Sequence, residues 1–396
     1  MVKSKSLIER IQEVLLKTGI PAWLFYDFRG SDPMGYRILG LDPSMHASRR
    51  WYYLVPASGT PIKLVHRIES GKLDSLPGNK KIYLTWSQLH SQLEDMISPF
   101  SAMAMQYSEN NMIPYISLVD GGTVELIRSF GTKIVSSADL VQVFEAVLSP
   151  EQQSGHRKSA TALTEIVQAA FAWTGEQISR LGQSDEFSVQ EFIMDLFKKN
   201  QLVTDHPPIV AVNSNSGNPH YIPQRGSSSQ IKPGDFLLID LWAKQAKHPE
   251  AVFADITWTG FAGAEPSEKI KKVFDIVTGG RDQGVAFLKE RFRRGEPVYG
   301  WEVDRTVREF IAARGYGDDF FCHRTGHSLG LEPHGNGVHF DDLETHDTRQ
   351  VLTGVACTIE PGIYLDDFGV RSEIDILFTE AGPEITTPPQ HELVII

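Results

Sequence analysis

Cysteine is almost missing from this chain: Cys322 and Cys357 are the two among 396 residues. So low a count excludes a disulfide-built scaffold and fits a reducing compartment. Long apolar runs are missing too. None approaches the roughly 20 residues that span a bilayer, and the first residues lack the apolar stretch and small-residue cleavage site of a secretory leader. The expectation is a cytoplasmic protein with no membrane partner. Positive charge is scarce as well, with 38 Lys and Arg against 50 Asp and Glu and a net charge of −12. That balance opposes a nucleic-acid partner, since phosphate binding needs concentrated cations. The densest basic run, Lys289 to Arg294, is interrupted by Glu290 and reads as a solvated helix end.

What the chain does have is length and apolar content enough for sizeable cores, most simply arranged as two domains. Ser6 and Glu9 form a capping-box pattern before an apolar face of Leu7, Ile8, Ile11, Val14 and Leu15, so a helix is predicted over residues 6–19. Strands are predicted at 22–26, 51–56, 60–66, 82–84 and 102–107, and helices around 89–96 and 138–148. This alternation describes an α/β domain over residues 1–150. Ser149-Pro150-Glu151 marks the boundary. A helical face at Leu163, Ile166, Val167, Ala170 and Phe171 then opens a second domain, 151–396, and Ser188 with Glu191 suggests a further capped helix.

Chemistry-bearing residues concentrate in that second domain. An Asn/Ser/Gly loop leads to His220 and can set it at a cleft. The apolar strand 236–239 ends on Asp240. A second strand, 252–261, alternates so that Asp255, Thr257 and Thr259 share a face, and a hairpin between the strands would bring the two acids together. Adjacent buried carboxylates repel unless a proton or cations lie between them. The densest stretch runs from His323 to Glu373: His323-Arg324-Thr325-Gly326-His327-Ser328-Leu329-Gly330, Glu332-Pro333-His334, Glu360-Pro361-Gly362 and Arg371-Ser372-Glu373.

Three readings of this stretch are open on the residues alone. Gly326-His327-Ser328-Leu329-Gly330 matches the G-x-S-x-G nucleophile elbow, which requires a strand, a sharp turn and a helix. His323 and His327, four apart, match two zinc ligands on one helical face, although Gly326 and the missing H-E-x-x-H glutamate oppose it. Asp240, Asp255, His327, Glu360 and Glu373 together offer four carboxylates and one imidazole, whose charge balances two divalent ions.

These motifs, in this order from about residue 207 to 382, resemble the pita-bread metallopeptidases, in the branch of Xaa-Pro aminopeptidases, prolidases and creatinases. The resemblance implies a mixed α/β (α+β) chain, with an N-terminal creatinase/prolidase-type domain for assembly and substrate restriction and a C-terminal pita-bread catalytic domain. It implies two divalent ions per chain, manganese first and cobalt, zinc or iron as alternatives. Asp240 would bind one ion, Asp255 and Glu373 would bridge both, and His327 and Glu360 would bind the other. Glu360 would also assist proton transfer. His220, His323 and His334 would be substrate-side imidazoles, and Arg371 a charged group beside the bridging Glu373. The implied activity is hydrolysis of the bond before proline in short peptides, by a homodimer or homotetramer. The alternatives are a creatinase-like C–N hydrolase or lyase acting on a small zwitterion, or a non-enzymatic binding relative. The chain departs from the peptidases in a longer connection between Asp240 and Asp255 and in Gly335 after His334, both on the substrate side.

Overall fold

The computed structural model describes residues 5–396, which divide into two compact units, one ending at Glu145 and the other beginning at Ala146. In the first unit, helices α1 (Leu7–Thr18), α2 (Pro33–Leu39), α3 (Trp86–Ile97), α4 (Gly121–Ser129) and α5 (Ala138–Glu145) cover a sheet. Its strands are β1 (Ala22–Asp27), β2 (Trp51–Pro56), β3 (Ile62–His66), β4 (Asn79–Tyr83), β5 (Ala102–Met105) and β6 (Lys133–Ser136). They are ordered β4-β3-β2-β1-β5-β6. Alternation explains the layers. Trp23 and Phe25 of β1 pack with apolar residues of α1, α2 and α5, whereas Leu24 and Tyr26 face those of α3 and α4. The predicted capping box of α1 is present, with Gly19 in the left-handed conformation closing the helix.

Two helices of this unit escaped the sequence reading. α2 starts on Asp32 as N-cap with Pro33 in its first turn, and α4 starts on Asp120 ahead of Gly121 and Gly122, whose weak helix propensity hides it. α5 stops before the predicted residue 148, because Leu148 N–H leaves the helix to donate to Gly354 O.

The second unit carries α6 (Pro150–Leu181), α7 (Glu186–Lys199), α8 (Glu268–Arg294) and α9 (Gly300–Ala312). Its strands in chain order are β7 (Ser184–Asp185), β8 (Leu202–Val203), β9 (Ile209–Val212), β10 (Gln230–Ile231), β11 (Phe236–Gln245), β12 (Ala254–Phe261), β13 (Ser328–Leu329), β14 (Ala356–Ile359), β15 (Gly362–Tyr364), β16 (Gly369–Arg371), β17 (Ile374–Thr379), β18 (Gly382–Ile385) and β19 (Val394–Ile395). One sheet runs β19-β12-β11-β8, with β9 also paired to β11, and a second runs β13-β14-β17-β18. Ile239, Leu241, Ala243, Ala254 and Ile256 put one face of the β11–β12 hairpin against α6 and α7. On the opposite face Phe236 and Leu238 join a core with α8 and α9, and the same face then continues into Asp240 and Trp242.

Three local expectations are corrected. α7 is capped by Asp185, whose carboxylate accepts from both the N–H and the hydroxyl of Ser188, so Ser188 lies inside the first turn instead of capping it. Glu360-Pro361 separates β14 from β15 and Ser372-Glu373 separates β16 from β17, so both acids sit at strand breaks. Ser328 begins β13 with no helix after it and is fully buried, its oxygen accepting from Gly337 N–H, which removes the nucleophile-elbow reading. His323 and His327 lie outside any helix, which removes the zinc-helix reading.

Candidate functional site

The hairpin register sets the first two acids. Asp240 lies opposite Thr257 and Trp242 opposite Asp255, so Asp240 and Asp255 are diagonal neighbours on one face. His327 arrives from the second sheet. Its backbone N–H donates to Thr358 Oγ1 at 2.9 Å, and Gly326 makes this approach possible: a Cβ there would lie 2.0 Å from Thr358 O. Glu360 follows β14 and donates its N–H to Thr325 O, while Glu373 N–H donates to Thr257 O. Two strand breaks and one hairpin therefore aim four carboxylates and an imidazole at one place.

That place is deeply buried: Asp240, Asp255, His327 and Glu373 are 8%, 6%, 3% and 2% exposed. Donor atoms of Asp255, His327 and Glu373 all lie within 4.8 Å of one another. His327 Nε2 is 3.3 Å from Glu360 Oε1 and 3.8 Å from Asp255 Oδ2. The Nδ1 of the same ring faces Ser328 O at 3.2 Å, which assigns the proton to Nδ1 and leaves the Nε2 lone pair directed at the carboxylates. Asp240 Oδ1, Asp255 Oδ1 and Glu373 Oε1 are buried with no hydrogen-bond partner. An imidazole lone pair meeting unpartnered carboxylate oxygens is a repulsive arrangement that divalent cations relieve. These residues fit a metal centre.

Around this set the structure adds a polar frame. Arg371 pairs through Nη2 with Asp240 Oδ2 at 2.5 Å, and donates from Nε to Thr257 Oγ1 at 3.1 Å and from Nη1 to Tyr364 Oη at 2.9 Å. Thr257 in turn donates to Glu373 Oε2 at 2.7 Å. Tyr364 Oη lies 2.8 Å from His323 Nε2, and His323 Nδ1 lies 2.8 Å from Arg324 O. With Arg371 donating to it, the Tyr364 hydroxyl donates its hydrogen bond to His323 Nε2, so His323 is neutral with Nδ1 protonated. Asp375 Oδ2 accepts from Asp255 N–H at 3.0 Å and lies 3.9 Å from His156 Nε2, behind the strand that carries Asp255. The positioning parts played by Thr257, Tyr364 and Asp375 were missed in the sequence. The i+2 steps from Asp255 and from Glu373 were the available signal for Thr257 and Asp375, whereas Tyr364 offered none.

A cavity of about 920 Å³ opens onto the acids, and His220, His323, His334, Glu360 and Arg371 all line it. His334 stands beside His327 with ring centres 4.3 Å apart. His220 is exposed on the loop after β9. Trp242, Lys244 and Phe253, from the long connection between the two aspartates, form part of the wall. Lys244 Nζ donates to Leu331 O and lies 4.7 Å from the Phe253 ring centre.

The electrostatics follow from crowding. Burial, then Glu373 and Asp240, push the Asp255 carboxyl well above its ordinary range. Burial, then Glu360 and Asp240, do the same to Glu373. Burial raises Glu360 to about 7 against the opposing pull of Arg371. Burial, then His334 and Arg324, hold His327 well below its usual value, as burial and Arg371 hold His323 at about 3. Desolvation of its ring, then Arg324 and His220, lower His334 to about 4. All three imidazoles are thus neutral at pH 7.

For a carboxyl whose folded pKa is raised, the unfolded chain releases its proton first, so stability falls as pH rises from the ordinary range, ~4.5, through the folded value. For Glu360 that value is about 7, and Asp255 and Glu373 extend the window upward. Protein stripped by chelator is expected to lose melting temperature across this window, and an added divalent ion to restore it, with a gap wider at pH 8 than at pH 5. Paired thermal melts check this. An equal gap at both pH values would contradict the charge argument.

A buried carboxylate–imidazole cluster of this kind, opening to a cavity and carried by two sheets, is the site of a metal-dependent hydrolase. Residues 154–380 match metallopeptidase family M24, and the chain belongs to that family. It is 32% identical over 309 residues to YqhT of Bacillus subtilis, an uncharacterized peptidase, covering 76% of this chain and 78% of that one. Among solved structures it is similar to a prolidase from Pyrococcus horikoshii, with TM-score 0.63 and 24% identity over 98% of this chain and 100% of that one. It is also similar to the dipeptidase PepE from Mycobacterium ulcerans, with TM-score 0.69 and 18% identity over 98% and 97%. The fold is the two-domain pita-bread architecture of these proteins, and the protein is a metallopeptidase.

Proposed function

We propose that the chain hydrolyses short peptides at the bond before proline, as an Xaa-Pro dipeptidase or aminopeptidase, with two divalent ions per chain, manganese first and cobalt, zinc or iron as alternatives. The observation that carries this is the convergence of Asp255, Glu360 and Glu373 on His327, with Asp240 lining the same cavity and one buried oxygen each of Asp240, Asp255 and Glu373 unpartnered. Asp240 would hold one ion, Asp255 and Glu373 both, and His327 and Glu360 the other. Bound there, such ions supply Lewis acidity to a water and to the scissile carbonyl.

The chain's own residues do the rest. Glu360, fixed through Oε1 by the Thr358 hydroxyl, takes the proton of the attacking water on its carboxylate. His334 and His220, on the cavity wall, face the substrate, and neutral His334 can donate a hydrogen bond to charge developing on the carbonyl oxygen. Arg371 holds Asp240 and Thr257 in place, and His323 fixes the Tyr364 hydroxyl that Arg371 also contacts. We assign the first unit to assembly as a homodimer or homotetramer and to substrate restriction. Two free cysteines suit a cytoplasmic setting.

The wall formed by Trp242, Lys244 and Phe253 gives a second reading some ground, because an aromatic and cationic wall also suits a small zwitterion. A panel of Xaa-Pro and Xaa-Ala dipeptides and longer peptides, beside creatine and betaine-like compounds, separates the two. Xaa-Pro peptides are expected to turn over with added manganese, and chelator to lower the rate by about a hundredfold or more. Metal-dependent turnover of a zwitterion, with none of any peptide, would move the protein to the second class.

A further inference from the structure

Glu186 is a fully buried carboxylate at the start of α7, and its hydrogen-bond partners are not cations. Its Oε1 accepts from Val212 N–H and Asn215 Nδ2 at 2.8 Å each. Its Oε2 accepts from Tyr221 Oη at 2.6 Å and Ser229 N–H at 2.8 Å. All four donors belong to one stretch, residues 212–229, which leaves β9, carries His220 and returns to β10. Half of that stretch is exposed, and Val212, Ser216 and Pro223 are its buried residues, so little apolar packing holds it. His220 lies between two anchors. Pro219 O accepts from Arg371 Nη1 at 3.4 Å, and the hydroxyl of Tyr221 is held by Glu186.

We propose that Glu186 is a positioning residue for the reaction: by gathering four donors of the 212–229 loop onto one carboxylate, it fixes His220 at the cavity wall. The inference rests on the peptide-hydrolase reading, because His220 matters only if a substrate occupies that cavity. The carboxylate form is what the arrangement requires. A carboxylate has acceptor capacity on both oxygens, whereas an amide of the same shape turns one end into a donor and sets it against two of the four donors. The lost bonds would release the loop without removing any cavity-lining group, since Glu186 is not among the residues that line the cavity.

The test is a double-mutant cycle on the metal-loaded full chain, using a peptide that the wild type cleaves. Glu186→Gln is expected to lower kcat/KM by about tenfold or more, with metal content unchanged. In a His220→Ala background the same change is expected to alter the rate less than about twofold. A second readout is independent of activity: trypsin cleavage after exposed Arg225, within the loop, should accelerate about tenfold in Glu186→Gln. Tyr221→Phe, which removes a single donor, should give a smaller change in the same direction, and it replaces Glu186→Gln throughout if that variant does not fold. An equal rate loss with and without His220 would overturn the proposal, as would unchanged tryptic cleavage. A wild type inactive on every peptide would contradict the hydrolase reading instead, and the proteolysis would still decide whether Glu186 holds the loop.

Discussion

Replacing Glu373 by Ala is expected to abolish peptide hydrolysis, by about four orders of magnitude or more, and to remove at least one bound ion. Glu373 is the carboxylate least able to be spared. It is 2% exposed, its Oε2 is fixed by Thr257, and its Oε1 is buried without a partner beside Asp255 and His327. A side chain shared between two ions takes binding from both when it is lost. Elemental analysis of the purified variant beside its kinetics checks the prediction. Full metal content with near-normal turnover would show that Glu373 is a buried structural acid.

Replacing His334 by Ala separates proton and oxyanion chemistry from ligation. Its ring stands 4.3 Å from that of His327 and faces the cavity, and it is neutral at pH 7 because desolvation, Arg324 and His220 lower its pKa to about 4. A neutral imidazole in that position can donate to a developing oxyanion. Turnover is expected to fall by about two to four orders of magnitude, with metal content near that of the wild type. Metal loss as large as in His327→Ala would mean that the two imidazoles have been assigned the wrong way round.

The acids at the centre were legible because their placement follows local rules. Period-two alternation put Asp255 with Thr257 on one face, a polar connection suggested the hairpin with Asp240, and the Glu360-Pro361 step sits where a strand stops. The imidazoles of the cavity wall were legible through their motifs and the family resemblance. The frame behind them was not. The chain from His323 through Tyr364 and Arg371 to Asp240 joins residues distant in sequence, and no spacing announces which hydroxyl will meet which guanidinium. Glu186 was hidden for the same reason, since nothing around it distinguishes an acid that gathers four donors from one on a solvated helix turn. The helix starts went wrong where a cap competed with a plausible neighbour. Asp185 outcompeted Ser188 because its carboxylate accepts from both groups that Ser188 offers.

If Asp240, Asp255, Glu360 and Glu373 together with His327 hold two cations, metal stoichiometry shows it most directly. The full chain, purified gently and then stripped with chelator and titrated with manganese, is expected to bind two ions per chain and to regain activity as they bind. Full activity on peptides in protein that contains no metal would contradict the account.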